Sequence, residues 1–235
     1  MSKPAAHKDM DPKIVQVDIV SDIICPWCWL GSRYFQMAAS QSDATLSVTW
    51  RPYMLDPTVP EGGVDYKTYM KEKFGDSPSN KFKAMREHLE AAAPDAGITF
   101  RFSDIKIRPN TLNAHRLLKW AQVEDVGSAV SEGLFKATFD TLENISDPDV
   151  LARIGFNSGM NAAGLVKRIA SNEDRESVLA EIQYFRGLGV SGVPTFIYNG
   201  QFAIQGAQPV EAHLKAIKQA QDAPALSDVN EPILT

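Results

Sequence analysis

Cysteine is almost missing from this chain: Cys25 and Cys28 are the only two in 235 residues. That scarcity excludes a disulfide framework, which needs several pairs to staple a fold. It also argues against structural zinc, which takes about four ligands. There is no second cysteine pair, and His7, His88, His115 and His213 are widely scattered, so no metal is expected. No window is apolar over the length of a membrane span. Residues 1–12 are polar, carry two prolines and have no apolar run of the kind a secretion signal needs. The net charge is −5 with no block of one sign, so neither nucleic acid nor an anionic membrane surface is expected as partner. The expected location is therefore the cytoplasm, where a lone cysteine pair is more often catalytic than structural.

What the chain does have is an ordinary hydrophobic content of 44%, enough for one large domain or for one domain carrying a second. Its most informative stretch runs from Val17 to Gly31, where an apolar strand leads directly into Cys25-Pro26-Trp27-Cys28. Apolar residues at Ile14, Val15, Val17, Ile19 and Val20 predict a mostly buried strand over about 14–20. Pro26 suits the first position of a helix over about 26–39, which puts Cys25 at the N-cap. There the unpaired backbone N–H groups and the positive helix end favour a thiolate. Cys28 falls one turn later on the same face, within reach of Cys25. The spacing predicts a reversible disulfide with one accessible attacking sulfur and one shielded resolving sulfur.

Residues 45–50 alternate and predict a second strand, parallel to the first in a right-handed β-α-β unit. Prolines and a Gly-Gly pair at 56–63 break the pattern. Helices are expected over 64–74, 78–93 (with Ser77 as cap), 111–123 and 126–142, with shorter ones from Asp147 and over 161–170. Residues 98–107 are apolar without a regular period. A helix reaching about residue 186 follows Ser171-Asn172-Glu173-Asp174. Asn199-Gly200 between two apolar runs is a strong hairpin signal, and a closing helix over 208–219 completes the order α-β-β-α. The fold expected is α/β and thioredoxin-like, with an inserted helical domain. Residues 13–55 and 171–222 form the thioredoxin-like part and 56–170 the insert, with tails at 1–12 and 223–235.

Three segments together resemble FrnE-type members of the DsbA family. They are Ser21-Asp22 ahead of Cys25-Pro26-Trp27-Cys28, then Arg108-Pro109-Asn110-Thr111 leading to Ala114-His115-Arg116, and finally Ser191-Gly192-Val193-Pro194-Thr195 with Gln205-Gly206-Ala207-Gln208. The resemblance spans roughly residues 14–220. It implies a cytoplasmic thiol–disulfide oxidoreductase or isomerase that needs no metal or organic cofactor. Its substrates would be protein or small-molecule thiols and disulfides, and glutathione or a thioredoxin-type protein is the candidate reductant. Oligomeric state is left open. The resemblance also implies a cis Val193–Pro194 bond beside the cysteines, with the backbone of Val193 facing substrate. A related branch, the 2-hydroxychromene-2-carboxylate isomerases and kappa-class glutathione transferases, shares the Pro-Asn-Thr segment but uses serine where Cys25 stands. A glutathione-dependent isomerase or transferase is thus the alternative function.

Seven further residues complete the site expectation. Trp27 lies between the cysteines as a surface aromatic that covers the site and contacts substrate, alongside Val193 and Pro194. Asn110 and Thr111 are helix-start residues expected beside the cysteines. Asp22 is either a proton relay or a capping acid, and His115 either a proton shuttle or a core histidine. Glu211 and His213 are expected on a solvated face.

Overall fold

The computed structural model describes residues 14–75 and 80–223. The chain begins with β1 (Val15–Ser21), α1 (Pro26–Gln41) and β2 (Leu46–Pro52). The inserted segment follows, with β3 (Val64–Asp65), α2 (Tyr66–Phe74), α3 (Asn80–Ala92), β4 (Ile107–Arg108), α4 (Leu112–Val123), α5 (Gly127–Phe139), α6 (Pro148–Asn157) and α7 (Leu165–Ala170). The chain then returns through α8 (Arg175–Gly187), β5 (Thr195–Tyr198), β6 (Phe202–Gln205) and α9 (Val210–Asp222).

The main sheet has the order β2-β1-β5-β6. β1 pairs parallel with β2 from Val15↔Leu46 to Ser21↔Pro52, and antiparallel with β5 from Val17↔Tyr198 to Val20↔Thr195. Flanked on both sides and covered on both faces, β1 buries Val15, Val17, Ile19 and Val20 almost completely, as its run of branched residues requires. Asn199 and Gly200 both take positive φ, 51° and 65°, which closes the β5–β6 hairpin. α1 is the element shared between the sheet and the insert. Its Phe35 packs on Phe196 of β5, while Trp29 lies against Phe100, Phe135 and Phe139 of the insert. One apolar cluster therefore runs from the sheet through α1 into α4 and α5.

Several local expectations change. Residues 64–74 are not helical throughout, because Val64 and Asp65 pair with Arg108 and Ile107, and the Asp65 carboxylate accepts the Thr68 N–H at 2.8 Å to start α2. Residues 98–107 are organised by ring stacking, with Phe100 on Phe102 at 4.9 Å ahead of a short 3-10 turn at Phe102–Asp104. The helix expected to reach residue 142 ends at Phe139, since Leu142 has φ 60°, a left-handed conformation. α7 starts only at Leu165, after Gly164 at φ 74°. The expected cap at Ser77, the helix start at Pro78, the tail at 1–12 and, apart from Ala223, the tail at 223–235 lie outside the described residues.

His213 is the clearest departure. Glu211 is exposed, but His213 is 0% exposed, with its ring between the edges of Phe35 and Phe196. Its Nδ1 lies 2.8 Å from the Tyr198 hydroxyl and its Nε2 has no partner. Burial pushes its pKa down to about 4. An unfolded histidine titrates near 6.5, so between those values the unfolded chain binds a proton that the folded one refuses. The stability held at neutral pH should fall as pH drops from about 6.5 toward 4, by on the order of 3 kcal/mol. Urea unfolding of wild type and His213→Leu across this range tests it. The variant should lose that part of the slope, and parallel curves would refute the assignment.

Candidate active site

β1 delivers the chain to the head of α1 at the carboxyl edge of the sheet, where ligand chemistry in open α/β folds concentrates. Cys25 occupies the N-cap with φ −96° and ψ 110°, and Pro26 takes the first helical position. The Cys25 N–H donates to the Asp22 carbonyl at 3.0 Å, and the Cys28 N–H donates to the Cys25 carbonyl at 3.0 Å. Both cysteines are free thiols, and their exposures are 5% and 1%. The Val193–Pro194 peptide bond is cis, and the Cys25 thiol donates to the Val193 carbonyl at 3.6 Å. Pro194 is buried and its carbonyl accepts the Gly206 N–H at 2.8 Å. α1 packs directly on this loop because position 31 has no side chain: a Cβ there would lie 3.0 Å from Pro194 Cγ and 3.2 Å from Ala207 Cα.

The two sulfurs are held differently. Burial pushes the Cys28 thiol well above its usual range, reinforced by the hydrogen bond and charge of Cys25 and opposed by Ser21 and the backbone at Asp22. Asp22 is fully buried and caps nothing on α1. Instead its Oδ2 accepts the Leu55 N–H at 2.6 Å, which ties the chain after β2 to the end of β1. Its Oδ1 has no hydrogen-bond partner and faces His115 Nε2 at 3.5 Å. That nitrogen lies 2.8 Å from the Tyr53 carbonyl, which fixes it as the protonated one. Asp22 and His115 thus form a buried polar pair at the end of β1, with the Asp22 backbone against Cys28.

Trp27 is half-buried, with its ring 5.4 Å from that of His88 on α3, so the insert reaches over the head of α1. Between them lies a cavity of about 360 Å³, walled on one side by Cys25, Pro26 and Trp27 and on the other by residues of the insert. Asn110 and Thr111 do not line it. Asn110 spends its side chain on the Val59 carbonyl (2.6 Å) and the Leu112 N–H (2.9 Å), and Thr111 is 1% exposed, so both hold the loop that presents Arg108 and Pro109 to the cavity.

A family model described as the DSBA-like thioredoxin domain matches residues 16–218. The chain belongs to that family. A structural neighbour, the probable DsbA oxidoreductase SCO1869 from Streptomyces coelicolor, has a TM-score of 0.81 at 26% identity over 92% of this chain and 94% of its own. YwbO of Bacillus subtilis (strain 168), named as an uncharacterized protein, is 24% identical over 208 residues, or 88% of this chain and 98% of that protein. A 2-hydroxychromene-2-carboxylate isomerase shares the fold, with a TM-score of 0.64 at 16% identity over 87% of this chain and 95% of its own. The fold is therefore the DsbA-like thioredoxin fold, and an enzyme of the oxidoreductase kind is what the family model and the Streptomyces neighbour support. Among the described residues no helix is long and apolar enough to cross a membrane.

Sequence reasoning missed Arg86 and Arg108, which line the same cavity as Cys25. A signal existed for the first. In α3 the spacing Phe82, Met85, Arg86, Leu89 places an arginine inside an apolar stripe, where a solvated charge is not expected.

Proposed function

We propose that the protein is a thiol–disulfide oxidoreductase or isomerase that works through a mixed disulfide, with Cys25-Pro26-Trp27-Cys28 as its redox pair. The observation that carries this reading is the asymmetry of the pair: Cys25 stands at a helix N-cap on the wall of a cavity, while Cys28 is buried behind it with its thiol pushed upward. The Cys25 thiolate attacks one sulfur of a disulfide, whose other half leaves as a thiolate. Cys28 then gives up its proton and displaces the bound half from Cys25, which leaves Cys25 and Cys28 joined. Asp22, with one oxygen unpartnered, is the proton acceptor proposed for Cys28, and the Leu55 N–H on its other oxygen holds it in place. Glutathione or a thioredoxin-type protein would return the pair to the dithiol, and the cytoplasm supplies both. The isomerase branch that uses serine holds glutathione's thiolate by a hydroxyl hydrogen bond, whereas a thiol in that place supports exchange.

The test is equilibration of the whole protein in glutathione redox buffers, with Cys25 and Cys28 followed by alkylation and mass. A single two-electron transition should appear between about −270 mV and about −120 mV, because no cation on the Pro-Trp pair stabilises the thiolate. A pair that never oxidises, or one that exchanges no faster than a free thiol, would reject the reading.

A further inference from the structure

We propose that the cavity beside Cys25 selects small disulfides whose apolar, ring-sized body carries a carboxylate, with Arg86 and Arg108 as its specificity-determining residues; this rests on the exchange reading above. The cavity has the volume of a small-molecule site, and Met70, Phe74, Phe82, Met85, Phe102 and Phe139 give it apolar walls. Two guanidinium groups break that lining. Arg86 lies over the rings of Phe82 (4.8 Å) and Phe102 (5.3 Å) and donates to the Tyr66 hydroxyl at 2.9 Å. Arg108 lies 5.0 Å over Tyr69, and its Nε is buried with no hydrogen-bond partner.

Among the described residues, neither arginine has a carboxylate within salt-bridge distance. The third cation of the lining, Lys73, differs because it is bound to Asp56. Burial would raise the Asp56 pKa, but hydrogen bonds from Lys73, Thr58 and Tyr69 hold it well below the usual carboxylate range, so that pair is already neutralised. The cavity is left with uncompensated positive charge set in aromatic walls. A partly desolvated cation without an anion is costly, and a guanidinium flat on a ring still offers its fork edge to a carboxylate. An occupant that satisfies both features is an aromatic or acyl group bearing a carboxylate. Size limits it too, since Cys25 is only 5% exposed and Trp27 packs against His88 of α3, so a reacting disulfide reaches the sulfur through this cavity.

The reaction balances without a further component. Cys25 sulfur bonds to one sulfur of the ligand disulfide and the other leaves as a thiolate; Cys28 then expels the second thiolate and passes its proton to Asp22 or water. One ligand disulfide is reduced by two electrons as the protein dithiol is oxidised.

The test is single-turnover reduction of two aromatic disulfides by the reduced full-length protein. One is 5,5′-dithiobis(2-nitrobenzoate), with a carboxylate on each ring, and the other is 4,4′-dithiodipyridine, which is neutral. The ratio of their second-order rates is divided by the same ratio for N-acetylcysteine at equal ionic strength. Wild type should favour the carboxylate by about tenfold or more, and Arg108→Met should remove most of that preference through weaker saturation, leaving the neutral rate within about twofold. Arg86→Met should act in the same direction, Arg108→Lys should restore part of the loss, and Lys215→Met, at an exposed position of α9, should change nothing. A normalised ratio near one in wild type, or a ratio unmoved by either arginine variant with folding intact, overturns the proposal while exchange itself survives. Failure of both disulfides to react would instead overturn the exchange reading.

Discussion

Cys25→Ser is expected to abolish exchange entirely, while Cys28→Ser should still attack disulfides and then stall as a trapped mixed disulfide. Cys25 caps α1 and faces the cavity, whereas Cys28 lies one turn inside at 1% exposure. Burial raises the Cys28 thiol, so at neutral pH it is the poorer nucleophile until Cys25 is covalently occupied. Serine is too weak a nucleophile to replace Cys25, and the one cysteine left, Cys28, is buried with its thiol pushed upward. In Cys28→Ser the first step survives, but nothing resolves the adduct. Intact-mass measurement after mixing with oxidised glutathione checks both halves. Cys25→Ser should gain no adduct on the fast timescale, and Cys28→Ser should gain one glutathione at completion. Faster alkylation of Cys28 than of Cys25 in the reduced protein would reverse the assignment of roles.

Arg116→Met should destabilise the protein by about 3 kcal/mol or more, because several buried carbonyls lose their donor together and each such loss costs roughly 1–3 kcal/mol. Arg116 is 1% exposed on α4, yet its guanidinium has a full set of acceptors. It donates to the carbonyls of Glu173 (2.6 Å), Ile169 (2.8 Å), Ser171 (2.9 Å) and Arg168 (3.3 Å), and to the Asn113 amide oxygen (2.8 Å). Most of those carbonyls belong to the end of α7 and the turn after it. One arginine therefore caps a six-residue helix that could not persist by its own propensity. Burial lowers its pKa, as does nearby Arg175, yet a guanidinium remains charged. Methionine fills similar length but leaves the carbonyls of Glu173, Ile169 and Ser171 without that donor, while Arg168 keeps the Ser171 N–H and hydroxyl, and lysine cannot reproduce the fork. Urea unfolding with an unchanged m-value is the measurement. A loss below about 1 kcal/mol would mean that water or relaxation of α7 replaces the side chain.

Parts of this structure could be read from local pattern because local physics decides them. Pro26 after an apolar run fixes where α1 begins, and with it the N-cap position of Cys25. Asn199-Gly200 supplies the two positive φ angles of the β5–β6 turn. The alternation of residues 45–50 foretold β2, which spans Leu46–Pro52. Other parts were invisible for an equally definite reason. β3 and β4 are two residues each and exist only because Val64–Asp65 meets Ile107–Arg108 across some forty positions of chain, a pairing that leaves no periodic trace. His213 was placed on the wrong side although Val210, Ile217 and Ala220 share its helical face, because histidine alone does not say whether its ring will find Phe35, Phe196 and Tyr198.

For the site, sequence by itself determined which two sulfurs are present, that they lie one turn apart, and that the first stands at a helix start. Tertiary structure decided what surrounds that pair. It brought the Val193 carbonyl to the Cys25 thiol over 168 positions, turned Asp22 away from capping and toward Leu55 and His115, and set Arg86 and Arg108 in the lining of the same cavity as Cys25. The physical reason is range. Helix starts, turns and strand alternation depend on neighbours a few residues away, whereas burial, unpaired charge and cavity shape depend on which distant segments pack together, and packing is a property of the whole fold.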